Sequence, residues 1–323
     1  MNLLITGGAG FIGAHLVRHL VLKYPNYKIV NLDALTYAAD LSRLDSVANA
    51  PNYHFVHADL THFDAVQKIV LEHEIEAVIH LAAESHVDRS ISGPLAFGQS
   101  NIMGTLHLLE ACRNAWRDNT KNLFYHISTD EVYGSLGKEG VFNANSPYDP
   151  HSPYSASKAA ADHLVRAYGT TFGMRYVLSN CSNNYGPEQH REKLIPLLIE
   201  QLKEGKPLPI YGDGSNIRDW LYVTDHVEAI DKIFHEGETN TTYLIGGRCE
   251  KTNLEVAQDL CDAFDRKTGK EAGTSRKLIT FVNDRPGHDQ RYAIDPSLLE
   301  DHLGWQAQTP WQEGLDKTLE AYL

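Results

Sequence analysis

The sequence predicts an α/β protein built on a doubly wound parallel sheet, with a smaller α/β unit at the carboxyl end for a substrate. Three observations carry this reading. Short runs rich in Val, Ile and Leu alternate with amphipathic stretches through the first half, as strands buried between two helical layers do. A glycine-rich turn follows the first apolar run directly and leads into a helical pattern. The chain of 323 residues is long enough for one large or two moderate domains, and its texture changes part-way along.

Candidate strands fall at residues 3–6, 28–32, 53–57, 77–81, 123–128 and 175–179. Helical periodicity occupies residues 11–22, 63–72, 101–115 and 155–172 between them. In such a sheet ligands bind beyond the carboxyl ends of the strands. Every motif described below sits at such an end or at the start of the next helix. Past residue 180 the elements shorten, and Asn, Gly and Pro punctuate residues 180–186 and 205–214. Residues 1–180 are read as a dinucleotide-binding domain, to which some later segments return, and residues 181–323 mainly as a substrate domain. No linker marks the boundary.

Composition narrows the function. Lys and Arg number 29 against 42 Asp and Glu, a net charge of −13, which argues against nucleic acid and anionic membrane as partners. A small anionic substrate needs only a few local cations. The four cysteines are scattered without a CxxC pair, as expected of reduced thiols in an intracellular protein. Seventeen histidines include no HExxH, so no metal is expected. No apolar run approaches the ~20 residues of a membrane span. The first strand begins directly after Met1, so no leader and a cytoplasmic location are expected.

The opening ITGGAGFIG sets Gly7, Gly10 and Gly13 between a strand and a helix, and residues 8–13 also satisfy G-x-G-x-x-G. Glycines let the backbone turn tightly and approach a pyrophosphate, whose charge the helix amino end favours. Asp33 ends the second strand 20 residues after Gly13. A carboxylate there accepts hydrogen bonds from ribose hydroxyls and repels a 2′-phosphate. The signature is Rossmann-type, and NAD rather than NADP is the expected cofactor. The competing reading is a glycine turn for close helix packing beside a solvent-facing Asp.

PYSASK then places Tyr154 and Lys158 four apart, on one face of a helix. A nearby ammonium favours phenolate, so the pair beside a nicotinamide is a base for an alcohol proton. Between these motifs, STDEVYG puts Asp130 and Glu131 side by side at the end of an apolar run. Either the pair opens a helix, since residues 128–131 fit the S/T-x-x-E capping box, or the chemistry needs two carboxyl groups together. Successive strand side chains point to opposite faces, so both acids can serve one ligand only in a turn or short helix past the strand.

TGGAGFIG, DAL, LAAESHVDRS, NIMGT, STDEVYG, SPYSASK, NCSNNYGP, EKLIPL, RDWLYVTDH and DRPGHDQRYAID together resemble the extended short-chain dehydrogenase/reductase family, over nearly the whole length. Within it they resemble the branch of NAD-dependent dehydratases that act on nucleotide sugars, dTDP-glucose in particular. The resemblance implies that Tyr154 takes the proton of the sugar 4-hydroxyl while NAD accepts hydride from C4. It further implies Glu131 as the base at C5, Asp130 as the acid that expels the 6-hydroxyl, Thr129 as a ligand of the 4-hydroxyl, and Lys158 as support for Tyr154 and the nicotinamide ribose. NAD contacts are implied for Gly7, Gly10, Phe11, Ile12, Gly13, Asp33, Leu35, Thr36, Asp59, Leu60, Leu81, Ala82, Ala83, Ser100 and Asn184. Sugar-nucleotide contacts are implied for Ser85, Thr129, Asn183, Lys193, Leu194, Pro209, Tyr211, Arg218, Asn253, Arg285 and His288. A homodimer is implied, formed through the helices near residues 101–115 and 155–172.

One stretch departs from the family. Between NNYGP and EKL, where an aromatic-rich segment ending in Pro is usual, this chain has Glu188, Gln189, His190 and Arg191. A dehydratase for another nucleotide, a 4-epimerase, or a non-catalytic NAD-binding regulator are the readings that compete. The regulator would predict loss of Tyr154, Lys158 or an acid, and all four residues are intact.

Overall fold

The computed structural model describes residues 1–116, 121–284 and 286–323. Its strands are β1 (Asn2–Thr6), β2 (Lys28–Asp33), β3 (Tyr53–His57), β4 (Ala77–His80), β5 (Leu123–Thr129), β6 (Tyr176–Cys181), β7 (Asn183–Tyr185), β8 (Leu208–Tyr211), β9 (Ile217–Tyr222), β10 (Thr241–Ile245), β11 (Glu250–Thr252) and β12 (Ile279–Val282). The helices are α1 (Phe11–Lys23), α2 (Phe63–Glu72), α3 (Val87–Ser92), α4 (Pro94–Phe97), α5 (Gly104–Ala115), α6 (Pro153–Phe172), α7 (Leu194–Glu204), α8 (Val223–Glu236), α9 (Asn253–Thr268), α10 (Ser297–Leu303) and α11 (Trp311–Tyr322).

Seven strands pair in the order β10-β6-β5-β4-β1-β2-β3, every neighbour parallel. Alternation along each strand feeds two cores, because successive side chains leave opposite faces. On β1, Leu3 and Ile5 join α1, α8 and α10 on one side, while Leu4 joins α2, α5 and α6 on the other. The last strand, β10, and its preceding helix α8 come from beyond residue 180, so the late chain re-enters the sheet.

A third core lies away from the sheet, where α7, α9 and α11 pack around β8, β9 and the aromatic rings Tyr185, Trp220 and Tyr222. Its small sheets have the orders β11-β9-β7 and β12-β8. This unit sits over the carboxyl ends of the large sheet because β6 runs straight into β7 through Ser182.

The first turn between strand and helix is built on close backbone approach. A Cβ on Gly13 would stand 2.1 Å from the Gly7 carbonyl oxygen and 2.8 Å from the Gly8 Cα. Neither atom can move without unfolding the turn. We expect Gly13→Ala to lose about 2 kcal/mol or more in urea denaturation. A loss under about 0.5 kcal/mol would contradict the close approach.

Candidate active site

A cleft of about 340 Å³ runs along the carboxyl ends of β1, β2, β4, β5 and β6. That is the size at which small-molecule sites begin. Its floor is the glycine turn. No side chain caps the amino end of α1, so its backbone donors stay available to an anion. Asp33 is fixed beside that turn, accepting from the backbone N–H groups of Ala9 at 2.9 Å and Leu35 at 2.8 Å. The cradle that a Cβ would fill and the carboxylate at the end of β2 together fit a dinucleotide.

At the centre β5 stops at Thr129 and the chain turns into a 3-10 helix, Asp130–Tyr133. The Thr129 hydroxyl accepts from the Glu131 N–H at 3.3 Å and lies 3.3 Å from the Asp130 carboxyl. The capping residue is thus Thr129. Ser128, the cap expected from the S/T-x-x-E pattern, donates instead to Asp162 at 2.9 Å. Across the cleft Ser152 caps α6 in a reciprocal pair with Ser155, and Pro153 opens its first turn. This start brings Tyr154 and Lys158 to the strand end, both buried. Lys158 donates to the Ile127 carbonyl at 2.8 Å.

The electrostatics separate the two acids. Asp130 is 2% exposed, and burial raises its pKa well above the usual carboxylate range, with Glu131 and Asp219 pushing the same way. Arg218 and the Thr129 hydroxyl oppose this without reversing it. Asp130 therefore holds its proton more tightly than an exposed carboxyl does. Its Oδ2 has no hydrogen-bond partner among the described residues. Glu131 is only half-buried and lines the same cleft. Tyr154 differs from the sequence expectation. Its pKa is raised, first by burial and then by the Glu131 carboxylate, and the Thr129 hydroxyl offsets only part of this. Burial is the stronger influence, and it pulls the Lys158 ammonium down as well.

Of the residues singled out by sequence, the cleft gathers Gly7, Gly10, Phe11, Ile12, Gly13, Asp33, Thr36, Asp59, Leu60, Leu81, Ala82, Ala83, Ser85 and Ser100. It also gathers Thr129, Asp130, Glu131, Tyr154, Lys158, Asn183, Asn184 and Lys193. Leu35 and Leu194 stand beside it without lining it. Pro209, Tyr211, Arg218, Asn253 and His288 belong to the carboxyl-terminal unit. There Arg218 is buried, stacks 4.2 Å from the Tyr292 ring and donates to the Asp289 carbonyl at 3.0 Å. The Tyr211 and His288 rings meet edge-on at 6.2 Å. Arg285 lies outside the described residues.

The cleft also takes in Tyr37, Glu84, Cys181, Ser182, Gln189, His190 and Glu192, which the sequence reading did not assign. Most are chain neighbours of assigned residues, and that adjacency was the available signal. His190 belongs to the departing stretch, and its ring meets Tyr37 edge-on at 5.5 Å. Among the described residues no group of His, Cys, Asp and Glu could hold a metal ion, and no helix is long and apolar enough to cross a membrane.

A family model described as GDP-mannose 4,6 dehydratase matches residues 4–318. The chain belongs to this family. Among curated relatives, a dTDP-glucose 4,6-dehydratase of Xanthomonas campestris pv. campestris (strain B100) is 49% identical over 99% of this chain and 92% of its own length. A crystal structure of a dTDP-glucose 4,6-dehydratase from Bacillus anthracis in complex with NAD is 41% identical with a TM-score of 0.89, covering 100% of this chain and 96% of that one. A third, the dTDP-glucose 4,6-dehydratase of Streptomyces venezuelae with NAD bound, is 40% identical with a TM-score of 0.91, covering 100% and 97%.

The raised Asp130 pKa has a consequence for stability. A carboxyl whose folded pKa exceeds its unfolded value stabilises the fold below the unfolded pKa, and that contribution is lost as pH rises through the folded pKa. The unfolded value is near 3.9. Wild type should therefore lose up to about 1.4 kcal/mol per pH unit above it through this group. Asp130→Asn cannot ionise, so its melting temperature should gain on wild type from about pH 4 upward. Parallel melting curves across pH would contradict the assignment.

Proposed function

We propose that the protein converts dTDP-glucose to dTDP-4-keto-6-deoxyglucose and water, with NAD as its cofactor. The observation that carries this is Asp130: a buried acid whose proton affinity is raised, next to Glu131, in the cleft that also holds Tyr154 and Lys158. NAD, when bound, supplies a two-electron oxidant that accepts hydride from C4 of the sugar and returns it at C6. The chain's own residues move the protons. Tyr154 takes the proton of the 4-hydroxyl as its phenolate, a form that burial opposes and the Lys158 ammonium one helical turn away favours, with the Thr129 hydroxyl beside it. The resulting ketone makes the C5 proton acidic, and Glu131 removes it. Asp130 gives its proton to the departing 6-hydroxyl, which leaves as water, and once C6 has been reduced Glu131 returns its proton to C5, which completes the 4-keto-6-deoxy sugar. A base and an acid are needed on neighbouring carbons, and their unequal burial sets their unequal proton affinities.

On the nucleotide side, Arg218 offers a planar fork of donors suited to a pyrophosphate, and Lys193, which donates to the Ser85 carbonyl at 3.0 Å, adds a second cation at the cleft. Ser85, Asn183, Leu194, Pro209, Tyr211, Asn253 and His288 are further proposed sugar-nucleotide contacts, with Thr129 and, outside the described residues, Arg285. Free Cys112, Cys181, Cys249 and Cys261 support a cytoplasmic placement.

We further infer a homodimer. Ile91, Leu95, Met103 and Phe172 are exposed apolar side chains on elements that pack together around α5 and α6, and Leu95 is 84% exposed. A patch of this kind fits a second copy of the chain.

Three measurements test these readings. Purified protein is incubated with dTDP-glucose and UDP-glucose in parallel, and a 4-keto-6-deoxy product is expected from dTDP-glucose. No product from either would sink the reading. In Asp130→Asn, water loss should fall about 100-fold or more while C4 oxidation persists as transient NADH absorbance. Loss of both together would remove Asp130 from the acid role. Sedimentation should give twice the chain mass, and Leu95→Asp with Met103→Asp should give monomer. A monomeric wild type would refute the dimer.

A further inference from the structure

Tyr154 and Lys158 are followed, four residues on, by Asp162, so α6 presents all three on one face. Asp162 is fully buried. Its carboxylate accepts from Ser128 Oγ at 2.9 Å, from the Tyr148 hydroxyl at 2.8 Å and from Asn180 Nδ2 at 3.3 Å. His126 of β5 stands 3.2 Å away through Nε2. An isolated carboxylate inside a sheet is costly, and well-packed apolar residues would often serve stability as well. Its surroundings therefore ask for a reason beyond stability.

The charges around it supply one. His126 is buried under the His80 ring, 5.2 Å centroid to centroid, and burial lowers its pKa to about 4, so it is neutral. Tyr148, Tyr133 and Cys181 are buried and all held protonated. Arg166 lies on the outer side, donating to the Tyr148 hydroxyl at 2.9 Å. His163 meets the Tyr148 ring at 5.3 Å. Across the strand end the pKa of Asp130 is raised by burial and Glu131 opens toward the cleft. On the sheet side of Lys158, Asp162 is thus the carboxylate that remains ionised.

We propose that Asp162 is a positioning residue for the catalytic pair: its buried carboxylate, one helical turn from Lys158 and bonded to the next residue of β5, favours the ammonium of Lys158 at the end of that strand through its charge rather than a direct ion pair. The strand serves both partners, since Ile127 accepts from Lys158 and Ser128 donates to Asp162. The proposal rests on the dehydratase reading for the role of Lys158, and its test includes a measurement independent of turnover.

Asp162→Asn removes the charge and keeps the shape. The rate of C4 oxidation should then fall at alkaline pH, beginning about one pH unit or more below any alkaline fall of wild type. Ser128→Ala, which removes one hydrogen bond but not the charge, should lower the melting temperature and leave the profile in place. Asp162→Glu should restore the wild-type shape. Independently, the melting-temperature deficit of Asp162→Asn should shrink as pH rises. Without the Asp162 charge Lys158 has a more depressed folded pKa, so the fold regains stability once its buried ammonium is neutral. If Asp162→Asn does not fold, Asp162→Ser, whose space water can fill, takes its place. A variant profile of wild-type shape with a pH-independent deficit would overturn the proposal and leave Asp162 as a tether of β5. Absence of any 4-keto product from wild type, with the deficit still shrinking, would overturn the dehydratase reading alone.

Discussion

The site depends on where β5 ceases to be a strand. Carried on in extended form, the chain would send Asp130 and Glu131 to opposite faces of the sheet, one into each helical layer. The Thr129 hydroxyl accepts the Glu131 N–H and starts a 3-10 turn, so both acids stay at the sheet's edge. The turn must then leave without crossing the cleft. Gly134 does this at φ +83, with the Asp149 carbonyl so near that a Cβ would stand 2.4 Å from it. Asp149 is tied back to Val132 at 3.0 Å, three residues before the Ser152 cap of α6. One short turn therefore sets the acids, and its return path sets the start of the helix bearing Tyr154 and Lys158.

The wall facing the glycine turn is made differently, by ion pairs that bridge distant parts of the chain. Arg18 of α1 grips Glu188 through both guanidinium nitrogens, at 3.0 and 2.8 Å. Tyr322 near the carboxyl end donates to the Gln189 carbonyl at 2.6 Å. Glu192 pairs with Arg89 at 3.4 Å, and the Arg89 guanidinium lies 3.7 Å from the Tyr37 ring. Residues 188–192 are thus anchored by charge, with the His190 ring set against Tyr37. A chain of net charge −13 can therefore face an anionic ligand, because many acids here are already paired with cations.

Much of this was legible in the sequence, for reasons that differ by element. The glycine turn and Asp33 could be read because their spacing follows from local strand and helix geometry. Tyr154 and Lys158 could be read because four residues is one helical turn. The partner of Ser128 could not. Its pattern with Glu131 satisfies a local capping rule, yet Asp162, 34 residues on, takes its hydroxyl. The direction of the Tyr154 pKa was hidden for the same kind of reason. A sequence shows that a lysine is near, while the depth at which both groups are buried is a property of the assembled layers. The return of β10 to the large sheet likewise depends on packing of α8 against α1, which no local pattern encodes.

In the mechanism we propose, the adjacency of the two acids links their proton transfers. A negative Glu131 raises the proton affinity of Asp130 beside it, in addition to burial. Were Glu131 to take the C5 proton, that contribution would disappear, and Asp130 would release its proton more readily when the leaving hydroxyl needs it. Two carboxyl groups so close titrate as a pair, so the base's gain of a proton lowers the acid's hold on its own. Burial fixes which of them starts protonated: Asp130 lies under the Thr129 turn against Arg218 and Asp219, whereas Glu131 reaches toward the open cleft. Exchanging the two residues would keep the pair of charges but place the ionised group where water cannot stabilise it. The turn's geometry thus gives Asp130 the buried place and Glu131 the open one, and in the mechanism we propose the neighbouring carboxyls that look wasteful as a local clash would act as one proton-exchanging unit.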